Sequence, residues 1–596
     1  MSFDYPSFTE PRQIRLLKAS FDQTQPDSDS IQCDFLVVNL DDLPCEYIAI
    51  SYLWGSSEKP QKVWCDGFSI DVTVSAMSVL HMAALNPALG YIWIDALCID
   101  QGNVSEKAVQ IRLMRDVYST ARWTIAWLGD ATPSTDEAMD FITTLRTALE
   151  KLQDENDDIT QNALVNAEGC QHPSSGWTAL ISLLEHAYFR RVWILQEMVL
   201  ASQVDIICGK RGVPWLELAY IVLQLGRHAL GTFLIVTEDG VLDRRPRGLS
   251  SLSTAWGLRH FRENVNPVSL STLLLYCWTL EASDDRDRVF ALLGMADDAE
   301  DSHFEPDYNT TPSEVFVKSA ARLLTRDRSS NTLLHGAGIG LGRNMESLPS
   351  WVPDWTKPNG TTVFGAMATK AQYHASGDRV PSTNALYDED QQSLTLAGCI
   401  VDEITGFAPP YVEVASQPGP EAKQRVAAAI VAWLDDLQAL CKLAGSHSSG
   451  LSYHPDILWR TIVAGSDCVA NPAPASFRQN FLDFVACAEI SAGAVGDDAN
   501  TEASLEFVNS VEQFVAAMST VATRRRVFAT RLGCLGLGPL GIKVGDRICV
   551  FLGFNTPFVI RPRDGGGYLL VGECYIYGLM NGEALVDGKV EDITLY

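Results

Sequence analysis

No two cysteines stand at C-x-x-C spacing. The 14 cysteines are scattered singly, which excludes a zinc ribbon and a thioredoxin-type redox motif. No apolar run reaches the roughly 18–20 residues needed to cross a bilayer; the richest stretch, Leu216 to Val236, is broken by Glu217, Arg227 and His228. Basic residues are scarce. Lys and Arg number 45 against 74 Asp and Glu, for a formal net charge of −29. Such a surface repels phosphate backbones, so neither nucleic acid nor an anionic membrane is expected as a partner. There is no P-loop to drive nucleotide-dependent oligomerisation, no repeat of fixed period, and no basic-then-apolar order at the N-terminus of the kind a signal peptide needs. Together these absences point to a cytoplasmic, thiol-reduced protein with no membrane span and no metal site.

What is present is ordinary globular material. Of 596 residues, 46% are hydrophobic and 20% charged, enough apolar matter for several cores. Residues 1–44 read as a polar lead-in with one short strand near Phe35 to Val38. Tyr47 to Tyr52 is a short apolar run and predicts a buried strand. Val63 to Val72 alternates about Asp66-Gly67, a hairpin signature. Val74 to Leu85 has helical spacing and stops near Asn86-Pro87. Tyr91 to Asp95, a helix over Ser105 to Ser119, and Trp123 to Leu128 follow. Helices over Thr135 to Asp154, Trp177 to Tyr188 and Arg190 to Leu200 then lead to a strand at Val204 to Cys208. Strands alternating with helices across short turns predict an α/β domain over residues 45–210, a parallel sheet flanked by helices. Residues 211–345 read as helical. Residues 346–596 read as a C-terminal module, β-rich at 393–404 and 527–596 with a helical insert at 415–525; its closely spaced short strands suggest a small barrel or twisted sheet.

Three segments of the first domain carry chemistry at strand ends or helix starts, where ligands bind in parallel α/β sheets. They are Ala49-Ile50-Ser51-Tyr52-Leu53-Trp54-Gly55, Trp93-Ile94-Asp95-Ala96-Leu97-Cys98-Ile99-Asp100-Gln101 and Arg191-Val192-Trp193-Ile194-Leu195-Gln196-Glu197. On a helix, residues 193, 196, 197 and 200 share a face. Trp193 and Leu200 would then turn inward and leave Gln196 and Glu197 at the edge of an apolar surface. A carboxylate there is costly unless paired. Glu197 is therefore either one half of a structural ion pair, with Arg190, Arg191 or an arginine elsewhere, or a carboxylate placed to stabilise developing positive charge, as glycosidase carboxylates do. Asp95 and Asp100 either cap the turns that follow or, for Asp95 above all, hold a ribose hydroxyl. Tyr52 and Trp54 are core aromatics or stack on a flat base. No histidine lies in the three blocks, so a Cys98-centred dyad is unsupported.

The three blocks, in this order, resemble the diagnostic blocks of the fungal heterokaryon-incompatibility (HET) domain. The resemblance extends to Asp287 to Gly294, to Pro306-Asp307-Tyr308, to the Trp351 to Trp355 loop, and to Leu570 to Tyr575 with Gly578-Leu579-Met580. HET domains are in turn distantly similar to Toll/interleukin-1 receptor (TIR) domains, whose Trp-x-x-x-Glu helix is similar to Trp193-x-x-x-Glu197. The resemblance implies a TIR-like fold, self/non-self recognition and programmed cell death. It also implies hydrolysis of NAD or a related nucleotide, with NAD as substrate rather than cofactor. Glu197 would be the catalytic carboxylate. Tyr52, Trp54, Asp95, Asp100, Gln101, Arg191, Trp193 and Gln196 would contact the substrate. Gln196 and Arg191 are not required by the TIR pattern. Implied partners are other HET-domain or incompatibility proteins, including further copies of this chain. The alternative is a non-enzymatic module that docks on another HET or TIR-like domain and triggers death through it.

Three further features read as structural. Arg524-Arg525-Arg526 predicts a solvated turn. The glycine-rich stretches Gly336 to Gly342 and Gly533 to Pro539 predict turns, since neither follows a strand and opens a helix. Asp284 to Arg288 predicts a salt-bridged helix start.

Overall fold

The computed structural model of the chain describes residues 3–21, 30–154, 160–228, 233–234, 236–238, 241–244, 246–264, 267–299, 304–326, 328–357, 363–364, 373–379, 385–411, 420–447, 456–468, 470–493, 505–586 and 588–596. The chain forms two compact units, residues 1–238 with 243–311, and residues 239–242 with 312–596.

The first unit is built on a nine-stranded sheet. Its strands are β1 (Gln13–Phe21), β2 (Ile31–Asn39), β3 (Tyr47–Tyr52), β4 (Gln61–Cys65), β5 (Phe68–Val72), β6 (Tyr91–Trp93), β7 (Trp123–Trp127), β8 (Val204–Cys208) and β9 (Arg211–Pro214), in the order β5-β4-β2-β1-β6-β3-β7-β8-β9. The centre is parallel: β3 pairs with β6 and β7, and β7 with β8. The flanks are antiparallel, β1 with β2 and with β6, β4 with β5, and β8 with β9, except that β2 meets β4 in parallel through Gln32 and Trp64. The sheet is therefore mixed, with the expected parallel core. All six residues of β3 are buried, as a strand with a parallel neighbour on each side and helices on its faces requires.

The helices of this unit are α1 (Val74–Leu85), α2 (Asp95–Cys98), α3 (Val104–Thr120), α4 (Pro133–Asp154), α5 (Gln161–Asn166), α6 (Ser175–Leu184), α7 (Ile194–Val199), α8 (Trp215–Arg227), α9 (Gly248–Glu263), α10 (Leu270–Tyr276) and α11 (Asp287–Leu293). The Thr73 hydroxyl caps α1 by accepting from the Ala76 N–H, and the Asn103 side chain caps α3 by accepting from the Glu106 N–H, the local devices that start helices. Asp66 and Gly67 both have positive φ, 49° and 81°, as the tight turn between β4 and β5 demands. A pair of short strands, β10 (Val236–Glu238) and β11 (Val241–Arg244), forms a separate two-stranded sheet.

Two expectations are corrected here. The first forty residues hold not one short strand but two nine-residue strands, and β1 lies well inside the sheet. The expected helix Arg190 to Leu200 is helical only over α7. Arg191 instead forms a β-bridge to Glu281.

The second unit opens with helix α12 (Pro312–Arg326) and contains a second large sheet. Its strands are β12 (Leu386–Asp388), β13 (Ser393–Phe407), β14 (Arg525–Thr530), β15 (Leu535–Pro539), β16 (Arg547–Phe551), β17 (Phe558–Pro562), β18 (Tyr568–Glu573), β19 (Tyr575–Ile576) and β20 (Glu591–Leu595). Helices α13 (Pro420–His447), α14 (Asp456–Ile462), α15 (Arg478–Ser491) and α16 (Leu505–Ala522) interrupt it as the expected insert. Fifteen-residue β13 pairs with β14, β16 and β20. The sheet curls on itself without full closure, because the step from β18 to β20 is a single bridge between Tyr568 and Leu595.

The stretch Gly533 to Pro539 is not simply a turn, since β15 is a fully buried strand. Its glycine is steric: a Cβ on Gly536 would come within 2.3 Å of the Phe528 ring. Arg525 corrects the expectation of a solvated turn. It is 1% exposed and bonded to an equally buried Glu573 at 2.9 Å.

Candidate functional site

The three blocks converge where the C-terminal ends of β3 and β6 meet the start of α7. β6 delivers Asp95 directly into the single turn of α2. The Asp95 Oδ1 accepts from the Ala96 N–H at 2.7 Å, and Oδ2 accepts from the Trp54 indole N–H at 2.8 Å. Gln101 folds back and donates to the Asp95 carbonyl at 2.8 Å. Asp100 accepts from the Gly102 N–H at 3.0 Å and so shapes the turn, the bland role open to it from the sequence. That turn is anchored from β1. Buried Arg15 grips Glu106 at 2.6 and 2.9 Å, and Glu106 in turn accepts from the Asp100 N–H at 2.8 Å. Sequence reading missed Arg15 because its partner lies 91 residues away.

A cavity of about 390 Å³ opens here, within the usual range for small-molecule sites. Trp54, Asp95, Gln101, Arg191 and Trp193 line it, together with Lys107 and Met114 of α3. Leu53, Gly55, Ile99, Ile111 and Ala187 add to it, and a further wall comes from a segment outside the three blocks: Glu281, Ala282, Ser283, Asp284, Asp287 and Tyr308. Asp287 is held as Asp95 is, accepting from the Trp193 indole N–H at 3.1 Å and from the Tyr308 hydroxyl at 2.6 Å. Asp284 is paired with Arg286 at 2.7 Å, and Arg288 with Asp285 at 3.1 Å, so the expected salt-bridged helix start is there. The signal for this wall was visible as the blocks Asp287 to Gly294 and Pro306 to Tyr308, but nothing in the sequence placed them against the first three.

Four of the nine candidate residues do not reach the cavity wall: Tyr52, Asp100, Gln196 and Glu197. Tyr52 is 3% exposed, and its hydroxyl has no hydrogen-bond partner. Gln196 is fully buried, donating to the Ala291 carbonyl of α11 at 2.7 Å. It ties helix to helix. Glu197 lies one layer in from the cavity. Its Oε2 accepts from the Ser51 hydroxyl, which also meets the Tyr188 hydroxyl at 2.7 Å. Among the described residues no Arg or Lys forms an ion pair with it, and Arg191 instead donates to the Tyr52 carbonyl.

The electrostatics follow from this placement. Burial pushes the Glu197 carboxyl up to about 7, against the opposing pull of Arg191 and Ser51. Its charged form is poorly solvated, and its hydrogen bonds come from hydroxyls, with Arg191 acting through space and not as an ion-pair partner. Asp95 is also raised, by burial first, with Arg191 and the Trp54 N–H pulling the other way. Asp287 is raised for the same reason, with Tyr308 and Trp193 opposing. The wall therefore combines two indole-held carboxylates, two cations and aromatic faces, a set suited to a flat, hydroxyl-bearing ligand. No group of His, Cys, Asp and Glu suited to a metal ion occurs among the described residues.

Residues 47–197 match the model of the family described as "Heterokaryon incompatibility protein (HET)", and residues 479–595 match that described as "Het-6 beta-barrel domain". The chain is 26% identical to "Heterokaryon incompatibility protein 6, OR allele" of Neurospora crassa, over 93% of this chain and 92% of that one. No solved structure matches.

Proposed function

The chain is a fungal HET-domain protein, and from that premise we propose that it acts in heterokaryon incompatibility as a self/non-self recognition and programmed cell-death effector whose N-terminal cavity takes NAD or a related nucleotide. The observation that carries the ligand reading is the cavity itself, which puts Trp54-held Asp95, Arg191 and Trp193 around one space. On this reading Asp95 accepts from a ribose hydroxyl, the indoles pack on flat groups, and Arg191 and Lys107 meet phosphate oxygens.

In the hydrolytic form of this reading, TIR-like in kind, the C–N bond breaks and nicotinamide leaves with the electron pair while a carboxylate stabilises the oxocarbenium-like charge on the ribose; water then adds to the anomeric carbon and gives up a proton to solvent. Glu197 is the carboxylate the resemblance assigns to this step. Its seclusion behind Ser51 favours a second reading. In that reading the cavity holds a ligand without cleaving it, and the unit docks on another HET-domain or incompatibility protein, a further copy included. Among the described residues no helix is long and apolar enough to cross a membrane, in keeping with a proposed site of action in the cytoplasm.

The test is to concentrate the full chain until it associates and follow NAD loss and nicotinamide release, with cell toxicity read in parallel. Turnover that falls in Glu197→Gln together with toxicity supports hydrolysis. Toxicity that survives Glu197→Gln, with no turnover in the wild type, supports docking.

A further inference from the structure

Of the four carboxylates that line this cavity, Asp95, Glu281, Asp284 and Asp287, two are each held by an indole N–H: Asp95 by Trp54, and Asp287 by Trp193. The first pair lies within the HET match at residues 47–197; Asp287 and its second donor, Tyr308, lie beyond it. The wall they stand on is fixed to the third block by backbone bonds. The Val192 N–H donates to the Glu281 carbonyl at 2.9 Å, and the Glu281 N–H donates to the Arg190 carbonyl at 2.6 Å. Arg286 then secures Tyr308 by donating to its carbonyl and to that of Thr310, the latter at 2.9 Å. The far wall is therefore a built part of the cavity rather than a loop resting on it.

We propose that Asp287 is a ligand-binding, specificity-determining residue of this site, accepting a hydrogen bond from a hydroxyl of a ribosyl ligand opposite Asp95. The site is then a composite of the HET block and residues 281–308. Two observations argue for a ligand role beyond structural support. First, a carboxylate has about four lone-pair sites, and Trp193 and Tyr308 use one on each oxygen, which leaves acceptor capacity on a group that lines open space. Second, neither donor to Asp287 is a cation; its neighbours Arg286 and Arg288 are taken up by Asp284 and Asp285. An acceptor fixed by neutral donors leaves its remaining lone pairs open to an incoming donor. Trp193, which joins Asp287 to the third block, is then a positioning residue as well as a wall.

This inference rests on the nucleotide reading of the cavity, and calorimetric titration of the full chain separates the two. The probes are NAD, ADP-ribose and nicotinamide riboside, which share a ribose and differ in charge. The expected result is saturable wild-type binding of at least one probe. Asp287→Asn should weaken it by about ten-fold or more, as loss of a charged acceptor does, and Tyr308→Phe by a few-fold, with melting temperatures unchanged. Tyr308→Phe keeps the ring, so it remains informative if Asp287→Asn fails to fold. Wild-type binding that is unchanged in both variants overturns the role of Asp287 and leaves the nucleotide reading standing. No binding of any probe to the wild type overturns both.

Discussion

Among the described residues each unit buries one glutamate, and the two are treated differently. In the second unit Glu573 is 1% exposed and held by two basic side chains, Arg525 at 2.9 Å and His335 at 3.0 Å, and it also accepts from the Phe364 N–H at 2.6 Å. In the first unit Glu197 is 3% exposed and held by the hydroxyls of Ser51 and Tyr118, with Tyr188 beyond Ser51. A buried carboxylate clamped by a guanidinium is a structural element. One that burial pushes up and that no ion pair clamps keeps its proton to about neutral pH and remains free to change state. The protein places the second kind, not the first, one layer behind its cavity.

The comparison can be broken most decisively at Glu573. Glu573→Ala leaves Arg525 buried without its carboxylate, and the second unit should lose about 3–5 kcal/mol in chemical denaturation. A loss under 1 kcal/mol would show the network to be ornamental.

Glu197→Gln should behave differently. In the folded chain this carboxyl titrates near 7, whereas the ordinary value is 4.5. Between those limits the folded state binds the proton and the unfolded state has released it. Stability therefore falls as pH rises through the window, by ~3 kcal/mol in all. The amide variant lacks that fall, so it should match the wild type near pH 4.5 and exceed it above pH 7. Parallel melting curves across that range would contradict the assignment.

Smaller effects sharpen the picture. Ser51→Ala removes the hydroxyl that favours the charged form, so the Glu197 titration should move higher still, with about 1 kcal/mol of stability lost. Trp54→Phe keeps an aromatic face but removes the indole N–H from Asp95, and should weaken ligand binding only a few-fold.

How far the sequence could be read depended on how local each signal was. Helix α1 runs from Val74 to Leu85 as expected, because an N-cap, apolar spacing and Asn86-Pro87 all lie within it or beside it. The Asp66-Gly67 hairpin was legible for the same reason. The strand β1 was not, since Arg15 interrupts its apolar pattern and becomes tolerable inside through Glu106 and the Pro6 and Cys98 carbonyls. Arg525 was misread in the same way, its partner Glu573 being 48 residues distant. Within the site, Trp54, Asp95, Gln101, Arg191 and Trp193 come together from motif position alone. Asp287 and Tyr308 could not be placed, because a backbone bridge between Arg191 and Glu281 brings them there, and no periodicity announces such a bridge.

The contrast between the two glutamates is tested most directly by infrared difference spectroscopy of the full chain against Glu197→Gln, titrated from acid to alkaline pH. A protonated carboxyl band present in the wild type, absent in the variant and lost as pH passes about 7 is the predicted result. A Glu197 already ionised at pH 5 would contradict it, and with it the idea that the hydroxyl-lined pocket holds a proton beside the cavity.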